Sequence, residues 1–134
     1  MNGIILFRLF CEEMKIAISS YDELRSLHLA LCEAKFHRDP DRKEVQGSPF
    51  VADTANKVFD LLIAEAPSEK IAVGWRDHRV LQTNSIFLPA IKNRCEEWFS
   101  LNTLTWDEKL SFLEDVAAPY ELTDELVSTI LGAP

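Results

Sequence analysis

Two histidine-containing clusters are the parts of this sequence whose residue types could carry chemistry. In the first, His28 and Cys32 lie four residues apart, a spacing at which two side chains on one helix face can hold a single zinc ion. Two ligands do not make a zinc site, and no second His/Cys pair supplies the remaining ones. Because free cysteine is usually buried, packing of both side chains in the core or at its margin is the better interpretation.

The second cluster is the run Arg76, Asp77, His78 and Arg79, which follows an aromatic residue. A histidine next to an aspartate invites an acid–base interpretation, because the unperturbed pKa of histidine lies near neutrality. Neighbouring residues on a helix do not face each other, however, and no motif places a serine or cysteine nucleophile nearby. We interpret the cluster as a solvated turn or a polar contact patch.

Glycine usage argues against nucleotide chemistry. The chain has only Gly3, Gly47, Gly74 and Gly132, which are too dispersed to form a phosphate-binding loop or a dinucleotide fingerprint. With no catalytic motif and no set of metal ligands, the sequence predicts neither an enzyme nor a cofactor-binding protein.

The charge distribution is the most informative feature of the sequence. The net charge is −8, and all of the excess lies in the last third of the chain: residues 96 to 134 carry Lys109 against nine carboxylates. Such a surface repels phosphates, so direct binding of nucleic acid is disfavoured, whereas a basic protein would be attracted to it.

We therefore predict a partner-binding surface in this acidic third, with a basic protein as the partner. Trp106 and Tyr120 lie among the acids, and aromatic anchors inside a charged rim are typical of tight protein interfaces. Trp106 fits the core equally well, so Tyr120, which follows Pro119 between two helices, is the better candidate for an exposed anchor. A surface that only promotes solubility is the alternative. The predicted partner-binding residues are Asp107, Glu108, Glu114, Asp115, Tyr120, Glu121, Asp124 and Glu125.

Length and composition predict one folded domain over residues 1–134. A chain of 134 residues can bury a real core, and 47% apolar with 27% charged residues is ordinary for a folded protein. Three widely spaced cysteines favour a reducing compartment over a disulfide framework. The N-terminus lacks the pattern of a signal peptide and no apolar run could span a bilayer, so we expect a cytoplasmic protein without membrane contact.

The stretch from Ser48 to Ala66 is predicted to be the helix around which the chain is organised. Ser48 is a good N-cap, Pro49 suits the first helical position, and Pro67 ends the helix. An apolar face recurs at three- and four-residue steps through Val51, Ala55, Val58, Phe59, Leu62 and Ala66.

The other segments also favour helices. Capping boxes at Ser20/Glu23 and Thr105/Glu108 start two of them, Asn84 or Ser85 starts another, and Thr123 starts the last. An apolar face from Ile4 to Ile18 favours a further helix, although residues 1–10 and 71–75 fit either helix or strand; residues 38–47 are expected to form an exposed loop. The predicted fold is all-α, a single-domain irregular bundle of about six helices.

The chain resembles bacterial immunity proteins of contact-dependent growth-inhibition or polymorphic-toxin systems. The resemblance rests on its small size, its acidity, its lack of catalytic motifs and the helix SPFVADTANKVFDLL at residues 48–62. This resemblance implies a cognate toxin, such as a nuclease, whose active site is covered. A helical adaptor that assembles with itself or with a host complex, and a small ligand-binding bundle, are the alternatives.

Overall fold

In this computed structural model, which describes residues 15–37 and 39–134, seven α-helices pack around a shared apolar core. Most of the predicted Ile4–Ile18 helix lies outside the described residues, and its last four residues, 15–18, form no helix. None of the described helices is long and apolar enough to cross a membrane. The helices are α1 (Tyr21–Phe36), α2 (Glu44–Gly47), α3 (Pro49–Ala64), α4 (Glu69–Arg79), α5 (Leu88–Leu101), α6 (Trp106–Ala117) and α7 (Asp124–Leu131).

Helix α3 is the central element, as predicted from its caps and its apolar face. The Ser48 hydroxyl accepts from the backbone N–H of Val51 at 3.3 Å, and Pro49 occupies the first turn. Phe59 and Leu62 are fully buried. The helix packs against α1, α2, α4 and α6, so four elements bury their apolar sides on it.

The N-terminal caps predicted from sequence form at the starts of α1, α6 and α7. At α6 the capping box is complete, because Thr105 Oγ1 accepts from Glu108 N at 3.2 Å and Glu108 Oε1 accepts from Thr105 N at 3.0 Å. At α1 the box is altered: Glu23 bonds to Ser19 instead of returning to Ser20.

Two regions differ from or extend the sequence prediction. The expected loop at 38–47 contains the short helix α2, whose buried Gln46 donates to the carbonyl of His37 at 3.3 Å. Residues 71–75, which fit helix or strand, are helical, since Ser68 caps α4 by accepting from Ile71 N at 3.2 Å.

The prediction that Asn84 or Ser85 starts the next helix is wrong: α5 begins at Leu88, with Phe87 at the N-cap position, no side-chain capping bond and Pro89 in the first turn. Ser85 Oγ instead accepts from Phe87 N at 3.2 Å in the turn before the helix. The position of Pro89 removes no helical hydrogen bond, because the N–H groups of the first turn have no partner within the helix.

Candidate functional site

An open groove of about 580 Å³ runs along the acidic end of the molecule. Helix α6 supplies one wall through Trp106, Leu110 and Glu114, which share a face because they are four residues apart. The core-facing side of the same helix buries Leu113 and Val116. The other lining residues are Asn56, Arg79, Ala118, Pro119, Tyr120, Glu121, Leu122, Asp124 and Val127.

The opposite wall is held by the connection between α6 and α7. Its backbone pairs with the end of α4 through two hydrogen bonds, Glu121 N to Arg79 O at 2.8 Å and Leu81 N to Glu121 O at 2.9 Å. Thr123 then caps α7 by accepting from Leu126 N at 3.2 Å. The groove therefore has fixed backbone on both sides.

Trp106 is the partly exposed aromatic residue of this groove. Its indole Nε1 donates to the carbonyl of Gly132 at 3.2 Å, which fixes the ring relative to the end of α7. Gly132 has φ of 79° and ψ of −171°, a conformation available in practice to glycine alone. The ring thus presents an apolar surface while its polar atom is satisfied.

The rim of the groove is negative. Glu114, Glu121 and Asp124 are all exposed, whereas Arg79 turns inward and exposes only 15% of its side chain. Arg79 is engaged by the protein itself: it lies 2.6 Å from Asp60 Oδ1, donates to Pro119 O at 3.0 Å and lies 4.8 Å from the centre of the Phe59 ring. Arg79 Nε also lies 3.9 Å from Glu121 Oε1, so Asp60 and Glu121 both balance its charge. The groove lining still carries three carboxylates against this one guanidinium group, which leaves it negative.

The structure brings together three of the seven predicted acidic residues at this groove and leaves four outside its lining. Asp107 and Glu125 are exposed in the first turns of α6 and α7. Glu108 is engaged in the capping box, and the hydrogen bonds from Thr105, its backbone N–H first, lower the pKa of its carboxyl. Asp115 is half-buried, and this burial raises the pKa of its carboxyl, although Lys35 nearby acts in the opposite direction.

The expectation that Tyr120 is exposed is wrong. The residue is 7% exposed, and its hydroxyl lies 3.6 Å from Cys32 Sγ in the core. Tyr120 lies in the turn that follows α6, where its N–H donates to the carbonyl of Ala117 at 2.9 Å. Its ring packs in the core, with its centre 5.7 Å from that of Phe36 and 5.5 Å from that of Phe87. Burial raises the pKa of the Tyr120 phenol, and the aromatic side chain that is partly exposed at the groove is Trp106.

His28 and Cys32 pack in the core, which confirms the structural interpretation of this pair. Cys32 Sγ lies 3.6 Å from His28 Nε2, and the histidine ring meets Phe59 and Trp75 edge to face at 5.3 and 5.4 Å. Burial, with a smaller effect of His78, lowers the pKa of His28 to about 4. Within the described ranges no three His, Cys, Asp or Glu side chains are grouped to hold a metal ion.

The cluster at residues 76–79 forms the last turn of α4 and not a free turn. Arg76 pairs with Glu69 at 3.1 Å on the surface, while exposed His78 packs its ring against Trp75 and Tyr120. The role of Arg79 in supporting the groove was missed by sequence reasoning. Its partners Asp60 and Pro119 are distant in sequence, and no local pattern links them.

Comparison with known proteins identified no relative: neither a family model, nor a curated protein, nor a solved structure matches this chain.

Proposed function

We propose that this protein is an acidic protein-binding inhibitor, an immunity protein that neutralises a cognate toxin by covering its active site. The observation that supports the proposal is the groove that Glu114, Glu121 and Asp124 line together with the partly exposed indole of Trp106. Apolar side chains of Leu110 and Val127 contribute to the same lining.

The chemistry of this groove suits a basic partner segment. The aliphatic part of a lysine or arginine side chain can lie on the apolar lining while its charged end reaches the carboxylates. An arginine can also stack on the indole ring of Trp106. A toxin that acts on RNA or DNA needs a basic surface for phosphates, and three carboxylates can occupy that surface in their place.

The excess negative charge at this end of the chain would act before contact. Net charge of one sign on a surface raises the rate of encounter with an oppositely charged partner, and this effect falls as salt screens the field. The inhibitor performs no reaction in this proposal and requires no cofactor. Its partner is a basic toxin domain, and binding takes place in the cytoplasm.

The proposal is tested by capture of partners from the native cells with the tagged protein at low and high salt. In the test variant Glu114→Gln, Glu121→Gln and Asp124→Asn remove three charges at the groove. In a matched control Glu33→Gln, Glu65→Gln and Glu96→Gln remove three exposed charges that do not line it.

We expect one stoichiometric basic protein, held more weakly as salt rises and lost in the groove variant but retained by the control. Its toxic activity should be suppressed by the wild-type protein. Equal loss in both variants would assign the effect to net charge alone and contradict a role for the groove. Retention of a partner with no suppressible activity would favour the adaptor alternative.

A further inference from the structure

A second candidate site lies around Arg94, and its central group is a cation, whereas the groove is lined by carboxylates. Arg94 lies on α5 and exposes only 10% of its side chain. Its buried Nε has no hydrogen-bond partner within residues 15–37 and 39–134. A guanidinium group stays charged in proteins. Burying it away from water with an N–H group that lacks a hydrogen-bond acceptor therefore costs free energy.

The aromatic rings beside Arg94 hold its guanidinium group in place without accepting hydrogen bonds from it. Its guanidinium carbon lies 5.5 Å from the centre of the Trp98 ring and 5.8 Å from that of Phe112. These two rings are stacked on each other at 5.3 Å. The ring faces attract the guanidinium cation, but they offer no pair of oxygen atoms to accept hydrogen bonds from its N–H groups.

Glu97 balances Arg94 only loosely. One of its oxygens lies 4.0 Å from Arg94 Nη1, beyond the range of a hydrogen bond. The same carboxylate lies closer to Lys43, whose Nζ donates to its two oxygens at 3.0 and 3.3 Å. Because Glu97 is 42% exposed, it can turn out to solvent without crossing the core.

A cleft of about 210 Å³ lies beside these groups. Two cations, Lys43 and Arg94, and the amide of Asn93 line it, together with Asp39 and Glu97. The volume suits a group of a few heavy atoms. Asp39 disfavours a second negative charge, so a singly charged oxyanion fits better than a doubly charged one.

We infer that this cleft binds a carboxylate group, which displaces Glu97 and pairs with Arg94 and Lys43. A carboxylate has the planar, two-oxygen geometry that arginine recognises. Glu97 then acts as an internal competitor that occupies Lys43 while the cleft is empty of ligand. The cleft shares no lining residue with the acidic groove, so this inference stands apart from the inhibitor proposal.

The test is an NMR titration of the ¹⁵N-labelled full chain with sodium acetate, against sodium chloride at matched ionic strength, following the Arg94 Nε–H signal. We expect acetate and not chloride to shift this signal in a saturable way. Glu97→Gln should tighten acetate binding by about fivefold, the upper range for loss of an exposed competing ion pair. Lys43→Met should weaken it, while Lys57→Met, which removes a cation paired with Asp53 outside the cleft, should leave it unchanged.

Three results would overturn the inference. The first is an Arg94 Nε–H signal that responds to acetate no more than to chloride. The second is an affinity for acetate that is the same in Glu97→Gln as in the wild type. The third is binding of inorganic phosphate as tight as that of acetate, which would show that the cleft does not select a singly charged carboxylate.

Discussion

Burial sets the protonation state of several side chains in this protein. Lys35 is fully buried on α1 and donates to the backbone carbonyl of Asp115 at 2.6 Å, near the C-terminal end of α6. This position suits a cation, because the last carbonyls of a helix carry partial negative charge. Desolvation nevertheless dominates and lowers the pKa of Lys35 to about 8, against the opposing effects of Asp115 and Cys32.

His28 makes the stability of the fold depend on pH. Its pKa falls from 6.5 to about 4 on folding, so between these values the unfolded chain binds the proton more readily than the folded one. The stability is therefore present above pH 6.5 and is lost as pH falls toward 4, by about 3 kcal/mol for the full shift. Urea unfolding at several pH values measures this loss.

The contribution of His28 is isolated by His28→Leu, which removes its imidazole and leaves the other titrating groups of the chain unchanged. The difference in unfolding free energy between wild type and variant should change between pH 4 and pH 6.5 and become constant above pH 6.5. A difference that does not vary with pH would show that His28 is not the group responsible.

At the scale of the helices, the sequence predicts the features that depend on neighbouring residues, such as the N-terminal caps. Ser48 and Thr105 were identified as caps from residue type and spacing alone, and both accept the expected backbone hydrogen bonds. Helix α2 was missed because its four residues carry no apolar period of their own. It is supported instead by contacts with α1, α3 and α6, which sequence spacing does not report.

The α6 capping box gives a prediction at this scale. Thr105→Ala removes the hydroxyl that accepts from Glu108 N and should lower the free energy of unfolding by about 1 kcal/mol. Thr103→Ala, in the exposed connection before the helix, is the matched control and should change it by less than about 0.5 kcal/mol. Equal effects of the two substitutions in denaturant titrations would contradict a stabilising role for the box.

The groove was less predictable than the helices. Glu114, Glu121 and Asp124 could be named from composition, but their convergence depends on the backbone pairing of residues 79–81 with residue 121. Ring contacts with residues distant in sequence bury Tyr120, whose position between two helices suggested exposure. Long-range pairing of short segments leaves no periodic trace in the sequence, so the side that each residue faces could not be predicted.

At the scale of the whole molecule, Trp75 joins two groups of buried apolar residues. It packs against the large cluster that contains Phe59, Ile91 and Leu113 and against a smaller one that contains Leu24. Its indole Nε1 also donates to the Tyr21 hydroxyl at 2.6 Å. The two clusters should therefore unfold together as one cooperative unit.

This cooperativity is tested by Trp75→Ala, which should lower the free energy of unfolding by about 3 kcal/mol and keep a single transition. Trp106→Ala, at the groove, should cost about 1 kcal/mol because less of its surface is packed. Circular dichroism and amide hydrogen exchange provide the two readouts. Separate transitions for the wild type would show that the clusters are independent and would contradict one domain over the chain.

The fixed indole of Trp106 also has an optical consequence. The chain contains three tryptophans, and Trp75 and Trp98 are each packed against other rings, whereas Trp106 borders the groove. With Trp75 and Trp98 replaced by phenylalanine, the emission of the remaining indole would depend on the water at the groove. Binding of any molecule that covers this end of the protein would then shift the emission wavelength of Trp106, without a label attached to either partner.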